Sequence, residues 1–323
     1  MNRISLITTI LVLLAIPFCV SCDKEDVDFD NLRSPIIEGL TVGNYPKVDG
    51  STSAEPLNAV IFCKLFGIGY KWAPEYWNLQ RIEPNLNKRD SEKFWNMIKS
   101  STTHQSYINL IDKEADFILN ARSMSSDEKA YAEDKGVNLI ENPIASDALI
   151  FIVNPNNPIT SLTSGQIQDI YTGKITNWKE VGGNDIEIRP YVRDANSGSQ
   201  ELMEALVMKD FDITQFPVNN HELIVFNMTG AFDVVFHEAN AICYTLYYYK
   251  ENIATGYNVK SVTIDGVYPD KATISNKSYP YVAPVYAVVR SDLDKLSMAY
   301  KLYEWIQTEG GTQAISESGY VPY

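Results

Sequence analysis

Positive charge is scarce in this sequence. Lys and Arg total 27 against 41 Asp and Glu, a formal net charge of −14 over 323 residues. A duplex nucleic-acid binder carries the opposite sign, so that partner class is set aside first. Histidine is nearly absent: His104, His221 and His237 lie far apart, and the four cysteines form no pair at metal-ligand spacing, which argues against a structural zinc site. Glycine (17) and proline (15) are too few and too unpatterned for a collagen-like or low-complexity chain. No Gly-x-Ser-x-Gly elbow is present, and neither a metal cluster nor an activated nucleophile suggests a phosphatase. With so many carboxylates, acidic pairs arise by chance and carry no catalytic meaning. The chain therefore reads as a binder and not an enzyme, with no cofactor implied.

Beyond the N-terminus no apolar run approaches the roughly 20 residues of a membrane span. Residues 1–21 read as a secretory signal: Arg3, then an apolar run to Val20, with a core too short to cross a bilayer. Cys19-Val20-Ser21-Cys22 resembles the lipobox of bacterial lipoproteins, with Cys22 as the lipidated first residue of the mature chain, although Cys19 stands where an aliphatic residue is usual. The acidic run Asp23-Lys24-Glu25-Asp26 follows at once, and 22–42 reads as a tether. Attachment would then be through lipid alone, in the cell envelope, facing periplasm or cell surface. An oxidising compartment permits Cys63 and Cys243 to pair. Each sits in an apolar stretch, which favours two buried free thiols.

The length suits about two domains. From about Tyr45 short apolar strands alternate with amphipathic helices, which predicts an α/β fold with mostly parallel sheets. Strands are expected near Val48 and over 115–121, 137–143, 148–154, 186–192 and 286–290. Helices are expected over 54–66, 125–135, 163–171 and 198–208. A last helix carries Leu296, Ala299, Tyr303 and Ile306, and Gly310-Gly311 is expected to stop it. The stretch 67–90 is aromatic (Tyr70, Trp72, Tyr76, Trp77) without a clear period and reads as a surface insertion.

Two polar loops at helix N-termini share one chemistry. Gly50-Ser51-Thr52-Ser53 separates a strand from a helix; unpaired N–H groups, a partial positive charge and hydroxyl donors suit an anion there. Arg193-Asp194-Ala195-Asn196-Ser197-Gly198-Ser199 repeats the design, with a guanidinium able to grip two oxygens of a tetrahedral anion. The net charge does not forbid this, because charges beyond about 8 Å are largely screened.

These loops belong to a wider likeness. The run Ile170-Tyr171-Thr172-Gly173-Lys174-Ile175-Thr176-Asn177-Trp178-Lys179-Glu180-Val181-Gly182-Gly183, the preceding Asn154-Pro155-Asn156-Asn157-Pro158, both serine loops and the ending Gly319-Tyr320-Val321-Pro322 resemble the PstS-like substrate-binding proteins of phosphate ABC transporters. The resemblance implies a two-lobed type 2 periplasmic-binding-protein fold joined by two crossover hinge strands, near 146–149 and 241–246. It puts 43–145 plus 240–323 in the first lobe and 146–239 in the second. It implies a monomer that holds inorganic phosphate between its lobes and serves an ABC permease, without metal. Ser51, Thr52, Ser53, Arg193, Ser197, Gly198 and Ser199 match the family's anion loops. Thr103, with Thr102, stands where the family has a Ser-rich turn containing Gly, which is missing here. Arg122 is expected to contact the ligand and supply charge, standing where some relatives place an Asp that accepts the proton of hydrogen phosphate; Glu55 or Glu201 would then take that acceptor role, or serve only as first-turn acids. Another oxyanion, a phosphorylated ligand, or a sensing or adhesive use of the scaffold are the alternatives.

Overall fold

The computed structural model describes residues 28–75, 77–211 and 223–323; the signal, Cys22 and His221 lie outside them. In chain order the strands are β1 (Val48–Gly50), β2 (Tyr70–Pro74), β3 (Gln80–Pro84), β4 (Phe117–Asn120), β5 (Leu139–Val153), β6 (Ser161–Leu162) and β7 (Arg189–Pro190). They continue as β8 (Val192–Arg193), β9 (Ile224–Val225), β10 (Ala241–Leu246), β11 (Lys260–Ser261), β12 (Thr263–Ile264), β13 (Val282–Arg290) and β14 (Val321–Pro322). The helices are α1 (Glu55–Phe66), α2 (Lys88–Met97), α3 (Thr103–Ile111), α4 (Ser126–Asp134) and α5 (Ser164–Tyr171). Then come α6 (Gly198–Leu202), α7 (Met228–His237), α8 (Lys271–Ser275), α9 (Met298–Trp305) and α10 (Glu309–Ser318).

The two strands expected over 137–143 and 148–154 are one, the 15-residue β5. Its first part pairs antiparallel with β13, from Leu139↔Arg290 to Ala148↔Val282. Its last residues, Leu149 to Val153, pair antiparallel with β10. Pro143 lacks an N–H, and the ladder accommodates it where the register shifts opposite Val285 and Tyr286. From Ala148 to Val153 every residue is buried, as a strand covered on both faces requires.

One strand therefore belongs to two sheets. The first runs β1-β4-β13-β5 with β14 also on β5; the second runs β5-β10-β7 with β11 also on β5. Among the described residues only β1–β4, β7–β10, β6–β12 and β8–β9 are parallel. The expected mostly parallel sheet is a mixed one, because the returning strands β10 and β13 run against β5. The expected crossovers near 146–149 and 241–246 fall on β5 and β10. Asp147, buried between them, accepts the N–H of Tyr248 at 2.9 Å and of Ala148 at 2.8 Å; burial pushes its carboxyl up to about 7.

Four local expectations change. The tether is packed from Phe29 onward: Phe29, Ile37 and Leu40 are buried, and Phe29 stacks on Phe62. The stretch 67–90 is a β2–β3 hairpin followed by α2, with Trp77 at its tip 91% exposed. Gly310 and Gly311 open α10 instead of ending α9; a Cβ on Gly311 would meet the Ile306 carbonyl oxygen at 2.2 Å, so only glycine permits that close step between helices. Finally, β11 and β12 pair with β5 and β6, so part of 240–323 lies against the second sheet. Cys63 and Cys243 are buried free thiols. Among the described residues no helix is long and apolar enough to cross a membrane.

β1 delivers the first serine loop by lying close against β4. Ser51 donates its N–H to the Leu119 carbonyl at 3.0 Å, and a Cβ on Gly50 would come within 2.3 Å of the same oxygen. That atom is backbone and has no rotamer by which to retreat. Gly50→Ala is expected to lower stability by about 1–3 kcal/mol, read as a lower urea midpoint with an unchanged slope. An unchanged midpoint would show that β1 moves freely on β4.

Candidate functional site

A cleft of about 640 Å³ opens where loops from both sheets meet. On the first side, Ser51 to Ala54 form a tight turn before α1, whose residues are buried almost all round, as a helix enclosed by its own domain should be. The Ser51 hydroxyl does not cap that helix. It lies 3.4 Å from the Ser53 hydroxyl, and both serines are buried at the cleft wall while Thr52 is exposed. Tyr320 fixes the turn from behind, its hydroxyl donating to the Ser53 carbonyl at 3.1 Å. Thr103 opens α3 at the same wall. Thr102 before it has φ 74° and ψ 165°, a conformation that belongs to glycine. The glycine missing from the sequence is thus replaced by a strained threonine in a glycine's backbone shape.

On the opposite side β8 delivers Arg193, buried and held in one orientation. Its backbone N–H donates to the Tyr244 hydroxyl at 2.9 Å, and Nε donates to the Val225 carbonyl at 3.0 Å. Nη1 reaches Ser199 Oγ at 3.1 Å, and Nη2 meets Asp194 at 3.4 Å. Ser197 Oγ accepts the Gln200 N–H at 3.2 Å, which leaves its own proton to donate. Asn196 turns the loop with φ 65°. A Cβ on Gly198 would lie 2.6 Å from Thr103 Oγ1, so the two walls touch here and only glycine fits. Ser51, Thr52, Ser53, Thr103, Arg193, Ser197, Gly198 and Ser199 all line one cleft.

Arg122 does not line it. Its guanidinium forms a two-point pair with the buried Glu128, Nη1 to Oε2 at 2.7 Å and Nη2 to Oε1 at 2.8 Å. His104 Nδ1 lies 3.0 Å from the same Oε1. The expectation that Arg122 contacts the ligand is therefore corrected: its neighbour Ala121 lines the cleft, while its own guanidinium is taken up by a carboxylate six residues on. Of the two acids weighed for the acceptor role, Glu55 lines the cleft and Glu201 does not.

Three further segments reach the cleft, one of them the stretch carrying Leu246, Tyr249 and Ile253. Glu75, Leu79, Gln80 and Arg81 come from the hairpin, and Phe226 to Thr229 come from the start of α7, where Met228 Sδ lies 3.1 Å from Arg193 Nη1. For α7 a signal existed in Asn227, which caps the helix through Gly230, as the other polar turns do. The hairpin offered none, because its pairing brings a region distant in sequence to the cleft. Glu55 is pushed up to about 7, by burial first and by the Glu75 charge second, with Arg81 opposing.

Loops at strand ends on two hinged α/β sheets define a solute-binding protein of the periplasmic type. A family model described as a PBP superfamily domain matches residues 88–306, and the chain belongs to that superfamily. Within it the chain is similar to phosphate-binding proteins named PstS. It is 30% identical over 184 residues to the phosphate-binding protein PstS of Borreliella burgdorferi, covering 56% of this chain and 65% of that one. It is 30% identical over 219 residues to the phosphate-binding protein PstS of Staphylococcus epidermidis, covering 64% of each. The matched part thus spans a little under two thirds of these relatives' length. Among solved structures, one from Clostridium perfringens, assigned as a phosphate ABC transporter substrate-binding protein and holding phosphate, superposes with a TM-score of 0.64 at 26% identity over 87% of this chain and all (100%) of that one. An ABC-type phosphate transport receptor from Vibrio cholerae shares the fold, with a TM-score of 0.59 at 22% identity over 85% of this chain and 98% of that one.

The position of Glu55 has a consequence for anions. Below about pH 7 its carboxyl is neutral, and above that it adds a negative charge to a wall that also carries Glu75, faced by Arg81 and by Arg193 across the cleft. Glu55→Gln is expected to strengthen inorganic phosphate binding about tenfold at pH 8, roughly 1.4 kcal/mol, and to change it little at pH 6. Titration calorimetry at both values checks this, since the ligand's own ionisation cancels in the variant-to-wild-type ratio. Equal ratios at the two values would remove Glu55 from the anion's surroundings.

Proposed function

We propose that this protein is an extracytoplasmic solute-binding protein that captures inorganic phosphate between its two lobes and hands it to an ABC importer, without chemical turnover. The observation that carries the reading is the pairing across one cleft of a fixed guanidinium, Arg193 with Ser199, and a buried serine turn, Ser51 with Ser53. Charge-assisted hydrogen bonds contribute roughly 1.5–3 kcal/mol each. Several of them, less desolvation and ordering, supply the roughly 8 kcal/mol of micromolar binding. The phosphate-binding relatives and the phosphate-holding structure from Clostridium perfringens support the choice of ligand.

In this reading the lobes are 43–145 with 240–323 and 146–239, the segment around β11 and β12 leaning on the second. β5 and β10 serve as the hinge. Ser51, Thr52, Ser53, Thr103, Ser197, Gly198 and Ser199 bind the anion with Arg193, and Arg122 stiffens the wall behind them. The chain acts as a monomer, exported by residues 1–21 and held to the envelope by lipid on Cys22, and takes neither nucleic acid nor a cofactor as a partner.

Arg193→Ala is expected to abolish phosphate binding in titration calorimetry, and Ser51→Ala or Ser199→Ala to weaken it about tenfold each, near 1.4 kcal/mol. Arg193→Ala binding phosphate as tightly as the parent would refute the site.

A further inference from the structure

The cleft is much larger than the anion its serine loops are built to hold. A tetrahedral anion of five heavy atoms occupies about the room of two or three waters, roughly 60–90 Å³, whereas the cleft holds about 640 Å³. The two walls approach each other at Gly198 and Thr103, and the remaining room is lined by residues outside the serine loops, among them Glu75, Gln80, Arg81 and Phe226. The size instead matches pockets that enclose a small organic molecule.

The surplus room has its own wall, and that wall is fixed in place. The hairpin tip is tied down where Gly256 donates its N–H to the Asn78 carbonyl at 3.0 Å. Arg81 lies over the Trp95 ring at 5.0 Å and pairs with Glu75 at 3.6 Å. Behind the hairpin, Tyr70 donates to Glu317, which also pairs with Lys64 at 2.9 Å. Facing this wall from the second lobe, Phe226 lines the cleft with its ring 76% exposed.

We propose that the cleft takes hydroxyl-bearing phosphate monoesters, such as phosphorylated polyols and sugars, with the phosphate on the serine loops and the organic part between the hairpin and Phe226. The proposal rests on the phosphate reading above and extends it. Hydroxyl groups donate to carboxylates and accept from a guanidinium or an amide, so they satisfy Glu55, Glu75, Gln80 and Arg81 together. A second anionic group would face the two carboxylates, and a purely apolar ester would bury polar groups without partners. An exposed aromatic ring supplies the apolar surface on which the carbon face of a sugar packs.

Titration calorimetry on the purified full chain with inorganic phosphate, glycerol 3-phosphate, glucose 6-phosphate and phenyl phosphate tests this. Glycerol 3-phosphate or glucose 6-phosphate is expected to bind no more than about tenfold weaker than inorganic phosphate, and phenyl phosphate more weakly than both. Gln80→Ala and Phe226→Ala, at solvent-accessible positions, are expected to lower the ratio of polyol-ester to phosphate affinity about tenfold. Phosphate binding with both polyol esters beyond that tenfold limit overturns the proposal, as does phenyl phosphate binding as tightly as they do, or a ratio untouched by both variants. Binding of none of the four overturns the phosphate reading beneath it as well.

Discussion

The sharing of β5 between two sheets is the constraint on which the rest of the molecule depends. Its pairing with β13 builds one sheet, and its pairing with β10 builds the other. The loops that follow β1 and β8 therefore emerge toward the same crevice. Moving the register of β5 by one residue would turn every side chain from Ala148 to Val153 to its opposite face, although here both faces are covered. What pins the register instead is a polar group, the buried Asp147, which ties the two crossovers through the N–H of Tyr248. The carboxyl accepts one bond across to the other segment, from Tyr248, and one within β5, from Ala148, and leaves one buried oxygen without a partner.

A chain of net charge −14 nevertheless presents an anion-holding wall. The resolution lies in distance and orientation. Remote carboxylates are screened over about 8 Å, while Arg193 is aimed by three fixed partners: the Val225 carbonyl, Ser199 and its own backbone bond to Tyr244. Preorganised donors lose little freedom on binding, so a few of them suffice where a diffuse positive surface would not. Three acids line the cleft: Glu55 and Glu75 toward the hairpin, and Asp194 beside Arg193.

The sequence revealed what is local and obscured what is assembled. Ser51 to Ser53 and Arg193 to Ser199 were readable because a strand, a tight turn and a helix start follow one another within a few residues, each with its own signal. The family run around Tyr171 to Gly183 placed the fold. By contrast, the break expected between 143 and 148 reflects Pro143 and polar Asp147, which local propensity cannot reconcile with one strand; the ladder to β13 and β10 overrides them. Phe29, Ile37 and Leu40 were masked by the acids around them, although their burial attaches the N-terminal stretch to the first lobe. The hairpin carries Trp72 and Trp77 with no regular period, and its place at the cleft depends on contacts with residues near 256 and 317 that no local pattern encodes.

Arg122 and Arg193 show how the same side chain reaches opposite ends. Both are nearly fully buried and both stand beside the cleft. Arg122 meets Glu128 at both oxygens, a pair whose separation would leave a bare charge in the interior at a cost of about 3–5 kcal/mol. Arg193 meets neutral oxygens, a thioether and, at 3.4 Å, one oxygen of the partly exposed Asp194. With one partly exposed carboxylate beside it, the Arg193 guanidinium is less fully neutralised than that of Arg122, and it lines the cleft. Thr102, strained at the facing wall, holds Thr103 at the cleft opposite it.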